Sequence, residues 1–311
     1  LNDLSGVHMN KFLMAHDMSP NAKQALIVGA AWSKNFSYDL QVIHIHPDRE
    51  ELLNLGMDAT FGDSIDERLK AMSQIRKELL KNEFQKNGLD IDQLQVLRGN
   101  PWKTIVQECQ DDQYKLVILG MSGATFWREM LIGSVVQRVA EHGPKSLLAV
   151  HQKSNPIPQK ILFACDFESD SAPALKWCKK LQEKFKCHVE LYCDVNPERV
   201  VGQTATAQKL NTLSHMDSAL EQLRANSELE LSRLADTFPH PDLVSNMCQS
   251  SKEIQPDRSI IEAAKKISAD LIVVGTHSHH GPKRWLMGSV AERVLKTAPC
   301  SVLLAREFSI Q

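Results

Sequence analysis

No stretch of this chain approaches the ~20 consecutive apolar residues of a membrane-spanning helix. The longest apolar run, Ala25 to Trp32, includes a glycine and is far too short. There is no basic excess either. Lys and Arg number 36 against 38 Asp and Glu, a net charge of −2. A dedicated nucleic-acid binder carries a basic face, so neither nucleic acid nor membrane is an expected partner. No C-x-x-C occurs among the seven cysteines. Cys165 and Cys193 sit in apolar, strand-like runs. This pattern reads as reduced thiols in a cytoplasmic protein, not as a disulfide framework or a zinc site. A signal-peptide core is missing as well, because Phe12 to Ala15 is a short apolar stretch followed by Asp17. Met9 is a candidate native start.

What is present is an ordinary globular composition, 42% hydrophobic and 24% charged, over 311 residues. That length suggests two domains of about 150 residues each. The sequence is written twice. Gly133-Ser-Val-Val-Gln-Arg-Val returns as Gly288-Ser-Val-Ala-Glu-Arg-Val, offset by 155. Gly120 and Gly275, Pro144 and Pro299, and Ser146 and Ser301 keep the same offset. Ala15-His-Asp17 corresponds to Ala164-Cys-Asp166, offset by 149. The polar segment His151 to Lys160 contains two prolines and reads as the connection. The expected domains are therefore 9–151 and 160–306, with 152–159 as linker.

Each half alternates strand-like and helix-like runs. In the first, strands are expected at Lys11–His16, Leu40–Ile45, Gln93–Leu97, Leu116–Leu119 and Ser146–His151. Helices are expected at Pro20–Trp32, Ile65–Gln85, Pro101–Cys109 and Ser134–Glu141, with Ser19 as an N-cap before Pro20. The second half repeats the order. Its strands are Ile161–Cys165, Val189–Cys193, Leu243–Met247, Leu271–Val274 and Ser301–Ala305. Its helices are Ala172–Phe185, Asp217–Thr237, Pro256–Ile267 and Ser289–Thr297. Five strands alternating with four helices imply a doubly wound α/β domain, a parallel sheet covered on both faces.

In such sheets ligands bind beyond the carboxyl ends of the strands, where strand order reverses. Asp17 and Asp166 follow the first strands. No G-x-G-x-x-G follows them, which argues against a dinucleotide-binding domain, and no G-x-x-x-x-G-K-[ST] occurs in the chain. After the fourth strand the first half reads Gly120-x2-Gly123-x9-Gly133-Ser134. The second reads Gly275-Thr-His-Ser278-x9-Gly288-Ser289, with serine in place of the second glycine. Gly133 and Gly288 open helices, whose free N–H groups and positive dipole ends suit an anion such as phosphate.

This pattern resembles the universal stress protein family in both halves, over nearly the whole chain. The resemblance implies a tandem member, with strand order 3-2-1-4-5 in each domain. Some members of that family bind ATP through G-x2-G-x9-G-[ST]. Carried over, Asp17 would lie by adenine and ribose, and Ile45 would offer backbone groups to the base. Gly120, Gly123, Gly133, Ser134 and Val135 would line the ribose and phosphates. The second site would use Asp166, Val195, Gly275, Gly288, Ser289 and Val290. The ligand implied is ATP, or AMP or ADP, with or without Mg, in a stress sensor or regulator. The last strands of the two halves are the expected sheet edges. The resemblance implies pairing through them, as an internal pseudo-dimer or as a further homodimer.

Plainer readings stand beside these. Ser134-Val-Val-Gln137 and Ser289-Val-Ala-Glu292 also fit capping boxes, and Asp17 and Asp166 fit as helix caps. Ser278 would narrow the second site, while Glu129 near phosphates would repel them in the first. The second half keeps Lys283-Arg284 at the place of Arg128-Glu129. His277, His279 and His280 lack the cysteine or acidic spacing of a zinc site. His44 and His46 share one strand face, which suits hydrogen bonding better than a bridging metal. No G-x-S-x-G or H-E-x-x-H assigns a catalytic residue. The alternative function is a non-nucleotide scaffold with a vestigial pocket. A slow nucleotide hydrolase is a third reading.

Overall fold

The structure is a computed structural model that describes residues 10–46, 64–121, 132–167, 171–195, 213–249, 255–276 and 287–306. The chain forms two compact units that divide between Ile157 and Pro158.

The first unit runs β1 (Lys11–Ala15), α1 (Pro20–Phe36), β2 (Asp39–His46), α2 (Ser64–Lys86), β3 (Leu94–Arg98), α3 (Pro101–Glu108), β4 (Tyr114–Gly120), α4 (Ser134–His142) and β5 (Ser146–Val150). Every pairing is parallel and the order is β3-β2-β1-β4-β5. The chain builds outward from β1 through β2 to β3, then returns to the other side of β1 for β4 and β5. The order therefore reverses between β1 and β4, and their carboxyl ends frame the crevice.

Local chemistry explains the elements that frame it. Ser19 is extended, and its Oγ accepts from the Ala22 N–H at 3.1 Å, ahead of Pro20 in the first turn. Ala22, Ala25, Leu26, Gly29 and Trp32 put a buried stripe on α1 at helical spacing. The helix continues past the expected end at Trp32 because Phe36 is also buried. The Phe36 ring packs edge-on against Phe12, with centroids 5.5 Å apart. The linker is not a loose tether on this side. Trp32 Nε1–H donates to the Pro156 carbonyl at 3.1 Å, and the Gln24 amide donates to the Ser154 carbonyl at 2.5 Å. Leu116 to Leu119 in β4 are buried consecutively, as expected of a parallel strand covered on both faces.

Along β2, Leu40, Val42, His44 and His46 share one face and Ile43 and Ile45 the other. Leu40 approaches Gly29 of α1, and Arg76 of α2 reaches His44 and His46. Helices α1 and α2 thus cover the histidine face.

The second unit repeats the plan with β6 (Lys160–Ala164), α5 (Ala172–Phe185), β7 (His188–Asp194), α6 (Leu213–Ala235), β8 (Val244–Gln249), α7 (Pro256–Ile267), β9 (Leu271–Gly275), α8 (Ser289–Thr297) and β10 (Ser301–Ala305). Its order is β8-β7-β6-β9-β10, again parallel throughout. Helix α6 starts earlier and ends sooner than the expected Asp217–Thr237. Among the described residues no helix is long and apolar enough to cross a membrane.

Candidate functional site

The turn after β1 is built from its own side chains. His16 N–H donates to the Ile43 carbonyl at 2.9 Å, the last rung between β1 and β2. Asp17 is exposed, and its Oδ1 accepts from the Ser19 N–H at 3.0 Å. Ser19, not Asp17, caps α1. The carboxylate is thereby fixed at the mouth of the crevice by a local turn. In the second half the residue at the N-cap of α5 is Ser171, so Asp166 is not a helix cap either.

Ile45 sits two residues beyond Ile43 on the same strand. Backbone groups alternate sides along a strand. The Ile45 N–H and C=O therefore point as those of Ile43 do, past the end of β1. His46 points the other way, and its carbonyl accepts from the Gly99 N–H at 2.9 Å. The repeat aligns differently than the sequence alone suggested. Ala15 pairs with Ile43 and Ala164 with Tyr192, so the counterpart of Ile45 is Asp194. Val195 is the counterpart of His46 and is buried.

The β4 end carries the glycines. A Cβ on Gly120 would lie 2.6 Å from the Asn21 carbonyl carbon and 2.8 Å from the Ala22 nitrogen. Close packing of β4 against the first turn of α1 is enough to require glycine there. Gly133 N–H donates to the Met121 carbonyl at 2.9 Å, joining the end of β4 to the start of α4. The second half does the same, with Gly288 N–H on the Thr276 carbonyl at 2.6 Å.

The helix starts overturn the capping-box reading. Gly133 is itself the N-cap of α4, extended at φ −69 and ψ 144, and Ser134 is the first helical residue. Gly288 is the N-cap of α8, at φ −61 and ψ 145, followed by Ser289. Neither helix has a side-chain cap. Ser134 and Ser289 are exposed, and Val135 and Val290 are half-buried. Both halves therefore present first-turn N–H groups and a serine hydroxyl toward the carboxyl end of the sheet, where an anion is favoured. Gly123, Ser278 and the rest of 122–131 and 277–286 lie outside the described residues. So do Arg128, Glu129, Lys283, Arg284, Trp127, Trp285 and the histidines 277, 279 and 280.

Three histidines cluster beside Asp17 and Ile45, and all three are buried. His44 Nδ1 lies 2.6 Å from the His16 carbonyl. Arg76 Nη1 lies 3.0 Å from His44 Nε2 and 2.7 Å from His46 Nδ1. Burial holds His16 and His46 down at about 4 and lowers His44 as well, so all three rings are neutral at pH 7. The Arg76 guanidinium stands between His44 and His46. Among the described residues no group of His, Cys, Asp or Glu is arranged to hold a metal ion. Arg76 was not singled out in the sequence.

The comparisons with known proteins fit this architecture. The family model described as "Universal stress protein family" matches residues 9–151 and 158–306. The chain belongs to the universal stress protein family. It is a tandem member, with one family domain in each half. The chain is 23% identical over 322 residues to universal stress protein Slr1230 of Synechocystis, covering 96% of this chain and 100% of that protein. It is 52% identical over 52 residues to universal stress protein MJ0531 of Methanocaldococcus jannaschii, covering 17% of this chain and 31% of that protein. The solved structure of a universal stress protein from Archaeoglobus fulgidus superposes with a TM-score of 0.64 at 19% identity, covering 96% and 97% of the two chains. That likeness is one of fold.

Proposed function

We propose that this universal stress protein binds an adenine nucleotide at the carboxyl ends of β1 and β4 in its first half, and acts in stress response as a cytoplasmic sensor or regulator. The observation that carries the reading is the start of α4. Gly133 leaves the first turn without a side-chain cap, while Ser134 is exposed beside it. Phosphate oxygens are the chemical match for such a terminus. Asp17 at the mouth accepts from a ribose hydroxyl, and the backbone of Ile45 serves the edge of the base. Gly120 and Val135 complete the lining. ATP, ADP and AMP all carry these groups, and Mg would accompany the longer phosphates.

The second half supports a matching site through Gly288 and Ser289. Asp166, Gly275 and Val290 take the corresponding places, with the backbone of Asp194, adjacent to Val195, as the counterpart of Ile45. A scaffold without nucleotide is the second reading. The packing of Gly120 against Asn21 favours it, because this motif glycine has a reason to exist without a ligand.

The deciding experiment is to denature purified protein, chromatograph the released small molecules, and titrate ATP, ADP and AMP into nucleotide-free protein. Adenine nucleotide at one or two per chain supports the first reading. A silent titration, together with no bound nucleotide, supports the scaffold.

A further inference from the structure

The rings of His16, His44 and His46 carry more information than their burial, because the hydrogen bonds fix which nitrogen of each bears the proton. Arg76 Nη1 has two N–H bonds and no lone pair, so the nitrogens it meets must both accept. His44 Nε2 and His46 Nδ1 are therefore unprotonated. The proton of His44 is on Nδ1, where it donates to the His16 carbonyl. The proton of His46 is on Nε2. His16 Nδ1 accepts from the Met18 N–H at 3.1 Å, so its proton is on Nε2 too. Among the described residues, the Nε2 atoms of His16 and His46 are buried without a hydrogen-bond partner. Every ring is thus locked in one neutral form, with nowhere to place a second proton except against Arg76 or against the Met18 N–H.

We infer that His16, His44, His46 and Arg76 form an acid-released latch that ties helix α2 to the end of β2. At neutral pH the two imidazole lone pairs hold the guanidinium. A proton on either ring replaces an acceptor with a cation facing a cation, and the contact becomes repulsive. The rest of the helix is anchored further along, by Leu80 and Phe84, both fully buried. Release at Arg76 therefore removes a described tie of α2 that precedes those anchors, without removing the helix from the unit.

The surroundings do not offset this charge. Among the described residues, the charged groups that face the three rings are Asp17 after β1, Lys23 on α1, Arg76 on α2 and Arg98 on β3. Asp17 favours protonation of His16 and His44, while the three cations oppose it. Unfolded histidines titrate at 6.5, whereas His16 and His46 hold at about 4 in the fold. The unfolded or released chain binds more protons throughout that window. The latch is intact above about 6.5 and is lost as pH falls toward about 4.

The second half supplies an internal control. Its register places Cys165 at the position of His16, Cys193 at that of His44, and Val195 at that of His46. Burial pushes the Cys165 thiol well up, so this layer stays neutral across the acidic range. The acid response at this layer therefore belongs, among the described residues, to the first half. Its consequence for nucleotide at Asp17 and Ile45 rests on the reading above, but the latch itself is tested without nucleotide.

Nitrogen-15 histidine NMR on the full chain reads the tautomers and midpoints. Hydrogen exchange, corrected for the intrinsic pH dependence, reads the helices. Expected are an Nδ1–H form for His44, Nε2–H forms for His16 and His46, midpoints at about 4 for His16 and His46, and a midpoint lowered from the ordinary histidine value for His44. Protection of α2 should fall at least tenfold between pH 6.5 and 4 while α6 keeps its own. His44→Gln with His46→Gln supplies acceptors that do not titrate and should remove the response. Arg76→Gln, which stands as the test even if that pair fails to fold, should move the His44 and His46 midpoints toward 6.5. Midpoints near 6.5 in the unaltered chain would overturn the latch. So would protection of α2 and α6 falling together, or α2 protection unchanged after the rings titrate.

Discussion

Met18 and Phe167 stand at the same place in the two halves, 149 residues apart, and both hold a left-handed backbone, at φ 67 and φ 60. Each follows the aspartate that stands two residues beyond the first strand of its half. The conformation turns the chain from strand toward helix, so that Ser19 reaches its capping position in the first unit. A side chain at positive φ costs about 1–2 kcal/mol. Met18→Gly or Phe167→Gly should therefore leave stability unchanged or raise it by up to about 1 kcal/mol, since glycine's added unfolded-state freedom takes back part of the gain. Met18→Val should lower it by ~1 kcal/mol or more, because a β-branched side chain is least suited to this region. Urea unfolding of the three variants checks both directions.

Gly120 is held by sterics. Gly120→Ala should destabilise the first unit by about 1–3 kcal/mol, because the contact that fails is backbone on α1 and not a flexible side-chain tip. Thermal unfolding without nucleotide reads this effect. A stability as high as that of the unaltered chain would mean that β4 and α1 move apart easily. Loss of nucleotide in that variant would consequently say little about contact with phosphate.

Ser134→Pro makes the cleaner probe of the anion site. Proline is well tolerated at the first helical position, and Gly133 already has the extended backbone that precedes a proline. The substitution removes one N–H and one hydroxyl donor without disturbing the helix. Stability should stay within about 0.5 kcal/mol, and nucleotide affinity in the first half should fall about tenfold or more, the equivalent of losing one charge-assisted hydrogen bond. Ser289→Pro is the same test for the second half. Calorimetry on the two variants separates the halves, and an affinity unchanged from the unaltered chain in both would remove α4 and α8 from the site.

The thiols give a prediction that needs no ligand. Cys109, Cys165, Cys178, Cys187, Cys193 and Cys300 are buried, and Cys248 is half-buried. Burial pushes Cys109, Cys187 and Cys300 up to about 12, and Cys165 and Cys178 well up. Iodoacetamide at pH 7.5 should modify Cys248 first and slowly, with the other six reacting only after denaturation. Mass mapping of the alkylated peptides checks the order. Early labelling at Cys165 or Cys193 would show that the end of β6 opens in the native state.

Arg76 and the three histidines explain why only part of the site could be read from the chain. His44 and His46 are two apart on a strand, and that spacing by itself puts them on one face. The partner that uses them lies 30 and 32 residues away on another element. Nothing in the local sequence around Arg76 distinguishes it from the other charges of α2. The same limit applies to Val195, which sits one place off the Ile45 position. The repeat alignment near the second strand rests on few residues, and only the ladder between β6 and β7 fixes the register.

The sequence by itself determined the repeat, the alternation of strand and helix, and the glycines that open α4 and α8. These follow from local rules, namely periodic burial, proline at a first turn and glycine before a helix. Pro256–Ile267, Ser289–Thr297 and Ser301–Ala305 stand where those rules put them. Tertiary structure decided what the local pattern leaves open. It made Gly133, and not Ser134, the cap, because the Gly133 N–H is drawn back to the Met121 carbonyl across the crevice. It made Gly120 a packing residue by pressing β4 onto Asn21. It placed a guanidinium between two imidazoles, which requires one helix to lie over one strand at a fixed register. Contacts of that kind depend on where distant segments meet in space, and no periodicity within either segment encodes them.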